Sequence, residues 1–142
     1  MTAEFPLAVH ALVFLLHKGT VTSSQTLAEN ICTNPARVRK VMAKLCRRAL
    51  VESERGQSSG YLTRSDADRI SLAEVLSALG EEPVAIGWRS GNVDRECMIS
   101  SGMGAIMDGI YGKMNEKCEE YLKTVTIGSI NETIFNGQGG KT

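Results

Sequence analysis

One strongly basic, amphipathic segment limits the possible folds of this chain more than any other feature. Between Glu29 and Glu52 the sequence contains six Lys or Arg residues and no acid. Asn34 and Pro35 mark its beginning, because Asn can cap a helix and Pro fits the first helical position. The sequence therefore predicts a helix over about residues 35–48.

The predicted helix has two unlike faces. At about 100° per residue the apolar side chains separate from the basic ones. The apolar arc contains Val38, Val41, Met42 and Leu45, and the basic stripe contains Arg37, Lys40, Lys44, Arg47 and Arg48. The spacing also predicts a buried helix over residues 5–17 and a shorter one capped by Ser23 or Ser24. Three helices with a short second connection are typical of a helix-turn-helix unit.

A short hairpin is predicted directly after the basic helix. Residues 51–55 can form a strand, residues 56–59 a turn bounded by glycine, and residues 60–63 the returning strand. Ser71 then caps a fourth helix over residues 72–79. The expected fold class is mainly α with a small β-hairpin, and the arrangement is a winged helix-turn-helix.

A long carboxy-terminal helix is predicted from about residue 94 to residue 123. Its apolar stripe includes Ile99, Met103, Ile106, Ile110, Met114 and Tyr121. A stripe this long, outside the small core, needs a partner helix to cover it. We therefore expect these six residues to mediate dimerisation. Four glycines at positions 102, 104, 109 and 112 weaken the helix prediction.

The expected organisation has four parts. They are a DNA-binding winged helix-turn-helix domain over residues 1–82, a loop over 83–94, a dimerisation helix with a short terminal helix over 95–135, and a flexible tail over 136–142. The charge supports this division, because residues 1–65 carry a net +5 and residues 66–142 a net −5, although the whole chain is neutral. Such asymmetry indicates a part that binds a polyanion joined to another part.

Several other classes of protein are disfavoured. The apolar run over residues 5–16 is too short to span a bilayer, and it lacks the features of a signal peptide. The four cysteines are widely spaced, which argues against a zinc site or a disulfide framework, so we expect a reducing cytoplasm. His10 and His17 have no nearby partner ligands in the sequence and are expected to pack. No nucleophile–base pattern indicates an enzyme.

Three segments together resemble a known family. They are TNPARVRKVMAKLCRRALV, RGQSSGYL and ISLAEVLSAL, within a similarity that covers about residues 5–125. The chain resembles the Rrf-type winged helix-turn-helix transcription regulators, most nearly their YwnA-like branch. The resemblance implies a homodimer with crossed long helices, a third helix in the major groove and a wing along the minor groove. Members mostly repress transcription and read pseudo-palindromic operators.

The DNA-binding residues are predicted on this basis. Asn34, Ala36, Arg37 and Lys40 are expected to approach base edges, Lys44, Arg47 and Arg48 to meet phosphates, and Arg55 with Gly56 to reach the minor groove from the wing. A solvated basic surface is the competing interpretation. In the family the position of Arg37 is often aromatic and that of Arg39 acidic, so operator sequences known for the family are not transferable.

The cysteines set the prediction about cofactors. Cluster-binding relatives use three cysteines before the long helix, whereas residues 83–100 here contain Cys97 alone, with Ser100 at the position of the extra ligand. One thiolate cannot hold an iron–sulfur cluster, so we expect no cluster, metal or other cofactor. Cys97 is either a redox sensor or an unreactive packing residue.

The sequence as a whole predicts a homodimeric, double-stranded-DNA-binding transcription regulator, a repressor, with no membrane partner. Its effector is unknown: a thiol oxidant acting at Cys97 and a small molecule in the dimer groove both remain open. The alternative is a winged-helix adaptor for protein interactions that no longer binds DNA. The unbroken basic stripe argues against it, because an adaptor does not need six clustered cations.

Overall fold

The fold is mainly helical with one antiparallel hairpin in the computed structural model, which describes residues 1–137. The helices are α1 (Glu4–Lys18), α2 (Ser24–Ile31), α3 (Pro35–Arg47), α4 (Leu72–Ala78), α5 (Met98–Leu122) and α6 (Ile127–Gly137). The strands are β1 (Val51–Glu54) and β2 (Gly60–Thr63), and a 3₁₀ turn covers Ala67–Arg69. The expected fold class is confirmed. No helix within residues 1–137 is both long and apolar enough to cross a membrane.

Three helices begin at caps that the sequence predicts. Ser23 caps α2, accepting a hydrogen bond from a backbone N–H at 3.1 Å. The side chain of Asn34 accepts from the N–H of Arg37 at 2.9 Å. Ser71 forms a capping box with Glu74, in which each side chain accepts from the other residue's N–H. These bonds satisfy helix N–H groups that would otherwise lack partners.

The core lies under α3 and around α1. All four members of the apolar arc of α3 are at most 1% exposed. They pack with Leu12 and Leu15 of α1 and Leu27 of α2, which are also fully buried. Burial of this arc turns the opposite side of α3 to solvent, so the amphipathic pattern read from the sequence is confirmed.

The hairpin is attached to the helical body beside α2. Tyr61 of β2 exchanges two backbone hydrogen bonds with Thr22, of 2.9 and 2.8 Å, and these bonds anchor the wing. Gly60 is required at this contact, because a Cβ there would lie 2.9 Å from the backbone nitrogen of Ser23. Strand β1 ends at Glu54, which leaves Arg55 in the turn.

Helix α5 is continuous despite its four glycines, and it begins at Met98, later than expected. After it the chain returns to the helical body. The N–H of Leu72 donates to the carbonyl of Val125, and the N–H of Ile127 donates to that of Ile70, both at 2.9 Å. Ile127 is fully buried, and α6 packs against α1. Helix α6 includes residues 136 and 137, which we expected in the tail; residues 138–142 lie outside the described part.

Candidate nucleic-acid interface

The side of α3 that faces solvent most directly contains only part of the predicted basic stripe. At about 100° per residue, Ala36, Lys40, Ala43 and Arg47 lie opposite the buried arc, and all four are exposed. The small side chains of Ala36 and Ala43, which alternate with the two cations, allow the helix backbone to approach a flat or concave surface closely. The geometry suits insertion of this side of α3 into a groove.

Two of the predicted DNA-binding cations contact an acid on α1. Lys44 Nζ lies 2.7 Å from one carboxylate oxygen of Glu4, and Lys40 Nζ lies 3.4 Å from the other. The hydrogen bond from Lys44 is the main reason why the pKa of Glu4 is lowered. The side chain of Lys44 is only 28% exposed, whereas that of Lys40 is 70% exposed. The basic stripe is therefore less continuous than the sequence suggests, and Lys44 is the member least available to an external anion.

Other cations of the segment lack such partners. Within residues 1–137, no acid forms an ion pair with Arg37, Arg47, Arg48 or Arg55 by the usual distance criterion, and all four residues are exposed. Their charges remain available to a polyanion. The third helix and the turn of the wing thus both present free guanidinium groups to solvent.

Arg39 is a further candidate, which the predicted basic stripe does not contain. Its Nη1–H donates to the hydroxyl of Ser24 at 3.4 Å, which links α3 to the first turn of α2. Arg39 is off the predicted stripe, on the flank of α3 that faces α2. Its place in the basic run of the sequence could have identified Arg39 as a candidate, but its angular position on the helix lies outside the predicted stripe. The contact with α2 gives the residue a defined place at the edge of the same surface.

The tip of the wing is exposed and locally basic. Gly56 has a positive φ of 100°, which an L residue rarely adopts, and a Cβ there would meet nothing within 4 Å. Glycine is therefore needed at this position for the turn itself. Glu52 and Glu54 are exposed on β1, so acidic side chains precede Arg55 along the strand. The positive charge on this part of the hairpin is therefore confined to the tip.

The loop between α4 and α5 is held against one side of α5 by specific contacts. The Asn115 side chain accepts from the N–H of Val84 at 2.8 Å and donates to the carbonyl of Val84 at 3.2 Å. Arg89 pairs with Asp108 at 2.9 Å. Its guanidinium lies on Gly104, where a Cβ would come within 2.8 Å of the Arg89 Cζ atom. Gly104 therefore has a packing role.

The other side of α5 carries the predicted dimerisation stripe. Of the six residues, Met103 is half-buried and lines a hollow with Trp88, while the other five are exposed. Their exposed fractions are 72% for Ile99, 61% for Ile106, 46% for Ile110, 45% for Met114 and 65% for Tyr121. The single chain leaves this apolar face uncovered.

Cys97 occupies the N-cap position of α5 and is exposed. The backbone N–H groups of Ser100 and Ile99 lower the pKa of its thiol, although the sulfur does not meet the geometry of a strict capping hydrogen bond. Burial instead raises the pKa of the half-buried Cys46 thiol. Among these two thiols, Cys97 therefore has the environment that favours the reactive thiolate.

Comparison with known proteins identifies relatives over the whole length. The family model Rrf2, described as an iron-dependent transcriptional regulator, matches residues 1–133. A protein of Neisseria meningitidis serogroup A, named as a candidate HTH-type transcriptional regulator, is 26% identical over 99% of this chain and 88% of its own length. YwnA of Bacillus subtilis, named in the same way, is 23% identical over 95% of this chain and 99% of its own length.

A solved structure shares the fold. The IscR structure from T. potens superposes with a TM-score of 0.73 at 17% identity, over 100% of this chain and 93% of that one. Homologues in the Rrf2 family are transcriptional regulators and not enzymes. The expected winged-helix architecture with a long carboxy-terminal helix is thereby confirmed.

The description of the family as iron-dependent raises the question of an iron site. An iron–sulfur cluster needs about four protein ligands. Residues 83–100 supply Cys97 and no second cysteine, and the nearby Ser100 offers a hydroxyl in place of a thiolate. No group of three or more His, Cys, Asp or Glu side chains able to hold a metal occurs within residues 1–137. This donor set does not fit a cluster.

The family match and the fold agree with the surface described above. The match covers nearly the whole chain, and α3 is the third helix of the winged helix-turn-helix fold described above. The chain therefore belongs to the Rrf2 family of DNA-binding transcriptional regulators.

Proposed function

We propose that the protein is a homodimeric, cytoplasmic, cluster-free repressor that binds a specific duplex sequence through α3 and the wing. The observation that carries this proposal is the set of exposed cations on α3 that have no acidic partner in the described part of the chain, opposite an arc that is fully buried. Side chains so placed can neutralise phosphates and reach base edges without any change in the core.

The first turns of α3 are proposed to read bases. Arg37 can donate two hydrogen bonds to the O6 and N7 acceptors of a guanine in the major groove. Lys40 and Ala36 lie on the same exposed part of the helix. The Oδ1 atom of Asn34 is occupied by the helix cap, so only its amide N–H groups remain available to DNA. Base contacts are therefore expected mainly from Arg37 and Lys40.

Phosphate contacts are proposed for the later turns and the wing. Arg47 and Arg48 are exposed near the end of α3, and Arg55 can enter a narrow minor groove, where the negative potential is enhanced. Arg39, beside the start of α2, is added to this group. Lys44 contributes less than its sequence position suggests, because it is held by Glu4.

The exposed stripe of α5 is proposed as the homodimer interface. Apolar residues exposed in a continuous stripe on a soluble chain indicate a surface that another protein covers. A second copy supplies the same stripe, and a two-fold interface between two α5 helices is self-complementary. Two subunits would then present two α3 helices to the half-sites of one operator.

A mobility-shift experiment distinguishes this proposal from the protein-interaction adaptor. The labelled probe is the region upstream of the protein's own gene, with random duplex as competitor. We expect a shifted complex that survives excess random duplex and weakens steeply as salt rises, because bound counterions are released on binding. Absence of salt-sensitive binding to any duplex would favour the adaptor.

Glu4→Gln is expected to strengthen DNA binding. The substitution frees Lys40 and Lys44 and removes one negative charge beside α3. Surface ion pairs contribute up to about 1 kcal/mol, so affinity for random duplex should rise by about two- to fivefold. Fluorescence anisotropy at fixed salt measures this change, with Glu132→Gln on α6 as the control. Unchanged affinity in Glu4→Gln would show that the two lysines do not face DNA.

The same substitution has a predicted effect on stability. Because the pKa of Glu4 is lowered in the fold, its charge stabilises the native state at pH values above the unfolded-state pKa, near 4.5. This contribution disappears as the pH falls through the lower native pKa. Denaturant unfolding should therefore show Glu4→Gln less stable than wild type at neutral pH, and equally stable in acid. An equal difference at both pH values would contradict the assignment.

Cys97 is proposed as the thiol through which an oxidant acts. With hydrogen peroxide, its thiolate sulfur attacks one oxygen and the O–O bond breaks, giving a sulfenic acid and hydroxide; the sulfur loses two electrons and the peroxide gains them. Mass spectrometry after trapping with dimedone should show oxidation at Cys97 before Cys46, whose pKa is raised by burial. Peroxide should change DNA binding of wild type and of Cys32→Ser, but not of Cys97→Ser. An unchanged response in Cys97→Ser would remove it as the sensor.

A further inference from the structure

A cavity of about 550 Å³ lies between α1 and α6. Its lining residues come from α1, α2, α4 and α6, so it is separate from the basic side of α3 and from the stripe of α5. Pockets that hold small organic molecules occupy roughly 300–1,000 Å³. The cavity is therefore large enough for a compound of two or three fused or linked rings.

The walls of this cavity are apolar and partly flat. Val13 and Phe14 of α1 and Ile134 and Phe135 of α6 are among the residues that line it. His17 stacks on Phe135, with 3.9 Å between ring centroids and 9° between ring planes. Aromatic rings offer extended flat surfaces on which other planar groups pack well. These walls favour a ligand with planar apolar rings over a ligand with a flexible aliphatic tail.

The rim of the cavity favours a ligand that carries a negative charge. Lys18 is the charged side chain among the lining residues, and its Nζ lies 5.5 Å from the centre of the Phe14 ring. Within residues 1–137 no acid is within ion-pair distance of Lys18. The other polar groups are His10 and Asn30, which share a 2.7 Å hydrogen bond, and His17. Among residues 1–137, no Asp or Glu lines the cavity to repel an anion.

We propose that this cavity binds a small planar aromatic carboxylate. The rings would pack between α1 and α6, and the carboxylate would lie at the rim near Lys18. Asn30 belongs to α2, which packs against α3, so an occupant contacts the helix next to the proposed DNA-reading helix. The use of this cavity as an effector site rests on the proposed function. Binding of the carboxylate does not rest on it, because this binding is measured in the absence of DNA.

The test compares naphthoate with its neutral isostere naphthamide, by calorimetry on the full-length wild-type protein. We expect saturable binding of one naphthoate per chain, and weaker binding of naphthamide. Ile134→Trp, which places a larger side chain at a partly exposed position in the cavity, should abolish both. Three results would each overturn the proposal. They are no saturable binding, binding that survives Ile134→Trp, and binding that appears only on dilution because a second copy covers the cavity in the dimer.

A charge variant tests the position of the carboxylate. Lys18→Gln should weaken naphthoate binding by about fivefold, the size expected for a partly exposed ion pair, and should leave naphthamide unchanged. Lys113→Gln, an exposed lysine on α5, is the matched control and should alter neither ligand. Equal losses for both ligands in Lys18→Gln, or the same loss in Lys113→Gln, would contradict the rim assignment. Loss of DNA binding with intact naphthoate binding would count against the proposed function alone.

Discussion

Ile106→Glu is expected to convert the proposed dimer to monomers and to weaken specific DNA binding by about 100-fold or more, because linked half-sites gain that much from simultaneous engagement. Ile106 is 61% exposed in the single chain, so the substitution does not disturb the core. In a paired interface, however, the carboxylate would be buried in an apolar contact without a partner. A buried unpaired charge is among the costliest single changes to an interface.

The control for this experiment is Ala105→Glu. Ala105 is exposed on α5 but lies on a different side of the helix from the stripe. Sedimentation equilibrium should show a dimer for wild type and for Ala105→Glu, and a monomer for Ile106→Glu with an unchanged helical spectrum. A dimer that tolerates Ile106→Glu would show that two chains associate elsewhere, and the proposed role of α5 would have to be abandoned.

Arg37→Ala is expected to cost about 1–3 kcal/mol on the specific operator, and to relax the preference at one base pair. Arg37 is exposed in the first turn of α3, near the cap made by Asn34. A guanidinium that donates two hydrogen bonds to one guanine discriminates against the other three bases. Binding selection from a partly randomised duplex would locate the position at which the preference is lost.

Arg47→Ala is the matched comparison for Arg37→Ala. Its exposed side chain lies near the end of α3, and a phosphate contact carries no direct sequence information. The variant should weaken specific and random duplexes alike, and lower the salt slope by about one unit. Equal losses on specific and random DNA for both variants would contradict the separation of base-reading and phosphate-binding residues.

The parts of the fold that depend on local pattern could be predicted from the sequence. The spacing of Val38, Val41, Met42 and Leu45 indicated the buried side of α3, because helical periodicity and caps act over a few residues. Asn34 and Ser71 are recognisable as caps for the same reason. Turn glycines indicated the hairpin, whereas the packing of Gly60 against Thr22 and Ser23 is a contact that the local pattern does not show.

The features that were missed depend on residues distant in the chain. Glu4 and Lys44 are 40 positions apart, so their ion pair leaves no trace in helical periodicity. The return of the chain through Val125 to pair with residues 70–72 is equally long-range, and it places Ile127 in the core. Arg89 packed on Gly104 explains one of the glycines that weakened the prediction of α5. Such contacts follow from topology, which single-sequence patterns specify poorly.

A hydroxyl-radical footprint on the protein's upstream region tests the central claim most directly. Two copies of α3 held by paired α5 helices should protect two segments whose centres are about 10 base pairs, or a whole multiple of that distance, apart. Protection in the flanking minor groove should disappear in Arg55→Ala. A single protected segment, or protection unaltered when the exposed cations of α3 are replaced, would contradict the account.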